Sequence, residues 1–164
     1  MQPLKNQVAL ITGGGRGIGA ATAEALARKG AEVIVASRTE AELTATVAAL
    51  RAAGLKTSLI VLDVADDAAV AAAFSRIARE FGRLDILVNN AALLLSGPFA
   101  EMAMSDWDRL LAVNLRGAVL CARQAFRLMR DSGGSIVNVS SLGGLSGTDK
   151  FPGYTAYTVS KFAI

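Results

Sequence analysis

At 164 residues the chain is about one domain long, on a prior of roughly 100–200 residues per domain, and 52% apolar against 19% charged residues suits a packed core, not a disordered tail. Seventeen Lys+Arg against fourteen Asp+Glu give a formal charge of +3 with no like-charged block, so a nucleic-acid or acidic-membrane role has little support. The lack of any histidine excludes a Ser-His-Asp triad and a His-ligated zinc, and the single Cys121 excludes an intrachain disulfide and a CxxC motif.

Residues 8–11 are a short continuous apolar run that stops in a glycine cluster, the pattern of a strand buried on both faces. From residue 18 to 29 the pattern turns helical, with Ile18, Ala21, Ala25 and Leu26 on one stripe and Gly30 closing it. Residues 33–36 read as a second strand. Thr39 with Glu42 three residues later is a capping-box pattern, predicting a helix that runs toward Leu50 and ends near Gly54. Residues 57–62 read as a third strand, 66–81 as a third helix and 84–88 as a fourth strand. Ser105 and Asp106 are candidate caps of one long helix reaching about Arg130; Gly133-Gly134 breaks it, and residues 136–139 are a fifth strand. A last helix starts near Thr155 and is still running at Ile164.

Five strands separated by helices predict one α/β domain over residues 1–164, an open, doubly wound parallel sheet in three α/β/α layers. A helix two turns old with no C-cap signal predicts that the protein continues. Mean hydropathy is +0.42, raised by alanine, yet no stretch approaches the ~18 uninterrupted apolar residues of a spanning helix. The first seven residues do not read as a signal peptide, and a lone cysteine suits a reducing compartment, so the expectation is a cytoplasmic protein without a membrane partner.

The segment Thr12-Gly-Gly-Gly-Arg-Gly-Ile-Gly19 sits between the first strand and first helix. Small residues suit a turn whose backbone angles exclude side chains, a close approach of main chain to a pyrophosphate, and tight packing of helix on sheet. G-x-x-x-G-x-G fits Gly13, Gly17 and Gly19, with Gly15, Arg16 and Ile18 between them; a strict G-x-G-x-x-G does not fit. The competing reading is a glycine-rich turn with no ligand. After the second strand, where dinucleotide sites often carry an acid for a ribose hydroxyl, this chain has Ser37-Arg38. Arg38 and Arg16, with no competing carboxylate nearby, favour the 2′-phosphate of NADP over NAD. Otherwise both arginines are ordinary surface charges. Glu40 and Glu42 read as helix-start residues.

Tyr157 and Lys161, at i and i+4 on the last helix, share one face one turn apart. A fixed cation beside a phenol favours the phenolate, so such a pair can protonate a carbonyl oxygen as hydride arrives, or deprotonate an alcohol in reverse.

Taken in order, the glycine segment, Asp63-Val64 after the third strand, Asn89-Asn-Ala-Ala92 after the fourth, Asn114 in the long helix, Ser140-Ser141 after the fifth and Tyr157-x-x-x-Lys161 resemble the short-chain dehydrogenase/reductase family, and in particular its 3-oxoacyl-carrier-protein-reductase-like members. The resemblance covers the whole chain. It implies a Rossmann fold and a catalytic set of Asn114, Ser141, Tyr157 and Lys161: Ser141 bonding the substrate oxygen, Tyr157 as general acid/base, Lys161 holding the nicotinamide ribose and assisting Tyr157, Asn114 supporting a relay water. It also implies that Asp63 contacts the adenine end with Val64 beside it, that Asn90 lines the cofactor cleft, and that full-length protein associates as a homodimer or homotetramer.

Three departures accompany the resemblance. Ala92 stands where the family usually has glycine. The family's usual spacing from Ser141 lands on Tyr154, but Tyr157 is the tyrosine with a lysine four residues on, which predicts a three-residue insertion around residues 148–150 with Tyr154 on the substrate side. Family members also continue through further strands and a substrate-binding loop. An acyl thioester, a sugar, a steroid or a small ketone all remain open as substrate.

Arg109, Arg116, Arg123, Arg127 and Arg130 form one polar helix stripe and read as a solvated face; Trp107 and Phe126 read as core or interface residues, and Cys121 as inert packing. The rival from another class is a non-catalytic nucleotide-binding or sensor protein on the same fold, or an inactive fragment of the enzyme.

Overall fold

Strand β1 (Val8–Thr12) is buried along its length because successive side chains serve opposite faces: Val8 and Leu10 join one apolar cluster, Ala9 and Ile11 the other. The computed structural model describes residues 3–147 and 150–164. Among them β2 (Glu32–Ser37), β3 (Thr57–Val61), β4 (Ile86–Asn89) and β5 (Ser135–Asn138) form one parallel sheet with β1, in the order β3-β2-β1-β4-β5. Helices α1 (Gly17–Arg28) and α2 (Glu40–Ala52) cover one face with Ala23, Ala27, Leu43, Val47 and Leu50. Helices α3 (Asp67–Phe81) and α5 (Gly117–Met129) cover the other with Val70, Phe74, Ile77, Ala125 and Met129. The chain builds outward from β1 to β3, then returns to lay β4 and β5 on the other side of β1. The carboxyl ends of β1 and β4 therefore flank the point where the winding reverses, the usual ligand position in such sheets. The expected doubly wound parallel sheet is the fold observed.

Local differences from the sequence reading have physical causes. Asp66 caps α3 as a side-chain acceptor for Ala68 N (2.9 Å) and Ala69 N (3.0 Å). Thr39 holds the N-cap position of α2, but neither half of the capping box forms: its side chain makes no cap bond, its N–H donates to Ser37 Oγ (3.3 Å), and the Glu42 carboxylate lies toward Arg16. Strand β4 starts at Ile86, and the preceding Asp85 already joins both neighbours: its N donates to Val8 O (2.9 Å), its O accepts from Ser135 N (2.8 Å), and its carboxylate accepts from Val8 N (2.8 Å) and from both arms of Arg83 (2.9 and 2.6 Å). The long helix begins as α4 (Met104–Leu111), where the Ala103 carbonyl accepts from Asp106 N and Trp107 N; Ser105 and Asp106 thus lie inside the first turn and cap nothing. Before α5 it widens into a π turn over Ala112–Arg116. Helix α6 (Thr155–Ala163) packs on α4 and on that turn.

Cys121 is fully buried and burial pushes its thiol up to about 12, so it carries no thiolate at neutral pH and acts as packing. Phe126, expected in the core or at an interface, is largely exposed and so lies outside the core. Among the described residues no helix is long and apolar enough to cross a membrane.

Candidate functional site

Between β1 and α1 the chain needs glycine for space as well as for angle. Gly13 and Gly17 have φ of +66° and +54°. A Cβ at Gly19 would lie 2.2 Å from the Gly13 carbonyl oxygen and 2.6 Å from Asn90 Nδ2. The Asn90 amide closes the loop by donating to Thr12 O (3.0 Å) and Gly13 O (3.1 Å). Thr12 Oγ1 accepts from Asn90 N and Ala91 N (3.1 Å each) and donates to Val88 O (3.3 Å), locking the ends of β1 and β4 together. Sequence reasoning missed Thr12, whose one signal is its place before the glycines, where it passes for an ordinary strand residue.

The result is a cleft of about 330 Å³ at the carboxyl ends of the strands. Gly13, Gly15, Arg16, Gly17, Ile18 and Gly19 form one wall, Ser37 and Arg38 the next, and Asp63, Val64 and Asn90 part of the rest. All the expected cofactor-binding residues except Tyr157 and Lys161 therefore line a single cleft. The first turn of α1 opens into it with unpaired backbone N–H groups and the positive end of the helix dipole. A Cβ-free cradle below a helix N-terminus fits a diphosphate.

The two cations of this wall do have carboxylate competitors, contrary to the sequence reading. Arg16 Nε lies 3.5 Å from Glu42 Oε1, and Arg38 Nη1 lies 3.8 Å from Asp63 Oδ2. The sequence hides both pairs, because α2 and the end of β3 reach this wall only through the parallel winding. Arg16 is 83% exposed by side chain and Arg38 50%, so both pairs are loose surface contacts that another anion can displace.

A second group of side chains abuts one end of the cleft, where Ala92 and Val113 belong to the lining. Asn114, 1% exposed in the π turn, donates from Nδ2 to Leu93 O (2.9 Å) and Ser160 Oγ (2.9 Å) and accepts at Oδ1 from Leu93 N (2.7 Å). Ser160 Oγ in turn donates to the Tyr157 carbonyl (2.7 Å). Lys161 is 4% exposed; its ammonium donates to Val139 O (2.7 Å) and lies 5.9 Å from the centre of the Tyr157 ring. Burial pushes the Lys161 pKa below the ordinary lysine value. Ser141 Oγ accepts from Gly143 N (3.2 Å), while Ser140 Oγ donates to Lys161 O (2.7 Å). A Cβ at Gly144 would lie 2.2 Å from that same Lys161 oxygen, so the serine turn presses directly on α6.

The π turn, the loop after β5 and α6 thus link Asn114, Ser141, Tyr157 and Lys161 into one group; none of the four lines the cleft itself, which the group meets at Ala92 and Val113, the chain neighbours of Leu93 and Asn114. Ser160 was missed for want of a signal, since a small polar residue in a helix is commonplace. The expected insertion falls partly on residues 148–149, which lie outside the described residues; the neighbouring Lys150 donates to Gly143 O (3.1 Å) and to Leu145 O. Replacing Asn114 by leucine is expected to destabilise the protein by about 3 kcal/mol in urea denaturation, because it strands the Leu93 amide and carbonyl and takes from the Ser160 hydroxyl the bond it accepts. A change below 1 kcal/mol, on the order of a surface substitution, contradicts that account.

A parallel sheet wound both ways from a glycine-lined switch point defines a Rossmann-type α/β domain. The family model described as short chain dehydrogenase matches residues 7–164. A 3beta-hydroxysteroid dehydrogenase of Mediterraneibacter gnavus is 40% identical over 159 residues, covering 96% of this chain and 56% of that protein. A D-threitol dehydrogenase of Mycolicibacterium smegmatis is 40% identical over 162 residues, covering 98% of this chain and 61% of that protein. The crystal structure of a metagenomic short-chain oxidoreductase in complex with NADP matches with a TM-score of 0.91 at 37% identity, over 98% of this chain and 72% of that one. The chain belongs to the short-chain dehydrogenase family. It spans about three fifths of the length of the curated relatives quoted.

Proposed function

We propose that the protein is an NADP-preferring oxidoreductase that interconverts a ketone and a secondary alcohol. The observation that carries this reading is the junction of two arrangements: a glycine cradle faced by two guanidiniums, and at its end a tyrosine and a buried lysine on one helix with a serine turn pressed against it. Backbone amides at Gly13–Gly19 and the positive end of α1 would hold the diphosphate. Arg38 and Arg16 would take the 2′-phosphate, Asp63 and Val64 the adenine side, and Asn90 the inner wall. A nicotinamide held there would supply the hydride chemistry, toward the carbonyl carbon in reduction and from the alcohol carbon in oxidation.

This chain's own task is the oxygen. Tyr157 Oη would deliver the proton that balances the hydride, and recover it in the reverse direction. Ser141 Oγ already accepts from Gly143 N, which leaves its own O–H to donate to the substrate oxygen. The Lys161 ammonium would offset the charge left on the phenol oxygen and bind the ribose. Both amide hydrogens of Asn114 are committed to Leu93 and Ser160, so its side chain would fix α6, and its support of a relay water would rest on its acceptors, the second lone pair of Oδ1 or the backbone carbonyl. Homo-oligomerisation and a cytoplasmic setting belong to the same proposal. A steroid and a tetritol stand in the names of relatives at the same identity, so those names do not choose the substrate.

Titration of full-length protein with NADPH and NADH, followed by turnover assays on ketones, tests the reading. Tighter NADPH binding with turnover supports it, binding with no turnover selects the sensor alternative, and no binding rejects both. Glu42→Gln is expected to tighten NADPH about two- to five-fold with little effect on NADH, because Arg16 loses its competing partner. An unchanged NADPH/NADH ratio in that variant takes Arg16 out of the phosphate site.

A further inference from the structure

We infer that Thr46 is a positioning residue for the 2′-phosphate of the cofactor: by holding the middle of the glycine loop it sets where Arg16 stands, and so how strongly NADPH is preferred over NADH. The inference rests on the NADP reading above. Residues 13–17 are all glycine except Arg16. Such a backbone turns easily about its bonds and cannot by itself keep a guanidinium over one spot. The loop is held from outside instead, at two separate places.

The inner fastening is the Asn90 amide on Thr12 O and Gly13 O, beside which Gly19 packs with no room for a side chain. It serves the start of α1, where the diphosphate would lie. The outer fastening is Thr46, half-buried on α2, whose Oγ1 donates to Gly15 O at 2.8 Å. A threonine inside a helix often turns its hydroxyl onto the carbonyl four residues back; this one reaches out of α2 to the loop. Gly15 is buried, and a Cβ there would lie 3.0 Å from Glu42 Cβ and 3.3 Å from Ser37 Oγ, so the tip of the loop rests on α2 and the end of β2. The C=O and N–H of a trans peptide point opposite ways. Fixing Gly15 O toward α2 therefore also fixes the Arg16 N–H on the other side, and with it the direction in which the arginine leaves the loop. The Glu42 contact at 3.5 Å, made by an exposed side chain, is too loose to do this. Glu42 and Thr46, one turn apart on one face of α2, thus act in opposite senses: the first competes for the guanidinium, the second places it.

The test measures Kd for NADPH and for NADH by fluorescence titration of the full-length protein, in the parent and in Thr46→Val, Thr46→Ser and Thr44→Val. Valine keeps the shape of threonine and removes the donor, which leaves Gly15 O unpaired and lets its peptide turn. Thr46→Val is expected to weaken NADPH about ten-fold and NADH less than about two-fold. Thr46→Ser restores the hydroxyl, and Thr44→Val makes the same exchange at an exposed position of α2; each is expected to stay within about two-fold of the parent for both cofactors. A parent that prefers NADPH, with the same NADPH/NADH ratio in Thr46→Val, overturns the inference and leaves the NADP reading standing. A Thr46→Ser protein as impaired as Thr46→Val does the same, because the bond is then not the cause. A parent that binds neither cofactor, or NADPH no tighter than NADH, overturns both. If Thr46→Val does not fold, Thr46→Ala, which opens Gly15 O to water, takes its place and is judged by the same ratio.

Discussion

Replacing Tyr157 by phenylalanine in the full-length protein is expected to lower kcat about a thousand-fold while NADPH affinity stays within about two-fold. The substitution removes one oxygen and its proton and keeps the ring. That ring is half-buried on α6 beside a lysine whose main bond, to Val139 O, does not involve it. The Ser160–Asn114 tie reaches Tyr157 through its backbone carbonyl, which phenylalanine retains. Fold and cleft should therefore survive, and the loss should fall on proton transfer. Single-turnover absorbance of NADPH oxidation, with affinity from fluorescence titration, separates the two. A folded Tyr157→Phe protein that turns over near the parental rate assigns the proton to another group.

Gly19→Ala is expected to weaken NADPH binding by more than about a hundred-fold, the second large effect. Its new methyl group would meet the Gly13 carbonyl at 2.2 Å and the Asn90 amide at 2.6 Å, neither of which is the loose end of a flexible side chain. Either the glycine loop lifts off β1 or the Asn90 bonds to Thr12 and Gly13 break, and both displace the amides that would face the diphosphate. Gly17→Ala provides the contrast. Nothing lies within 4 Å of its Cβ, so its cost is confined to backbone strain at φ +54°, about 1–2 kcal/mol. Equal affinities for the Gly19 and Gly17 variants would show that crowding at residue 19 is not what shapes the cradle.

What was legible in the sequence follows from which forces act locally. A strand buried on both faces must be apolar at every position, so residues 8–11 declared β1 without help from the rest of the fold. Glycine at residue 19 is dictated by a neighbouring carbonyl six residues away, and Tyr157 with Lys161 by one helical turn, so both stand out in a linear reading. The pairing of Glu42 with Arg16 is different in kind. Within α2 the local pattern Thr39-x-x-Glu42 points to a cap, but a cation arriving from another loop turns that carboxylate outward. The π turn at residues 112–116 had no signal either, since the extra residue in its turn is visible only once Asn114 is seen to reach both Leu93 and Ser160.

That one amide has a dynamical consequence. By joining the chain after β4, the long helix and α6 at a single buried point, Asn114 makes them one stiff block, and Tyr157 and Lys161 ride on it. The serine turn is fastened to the same block, since Ser140 Oγ donates to Lys161 O and Gly144 packs against that carbonyl. A proton donor mounted this way would keep its place from one turnover to the next.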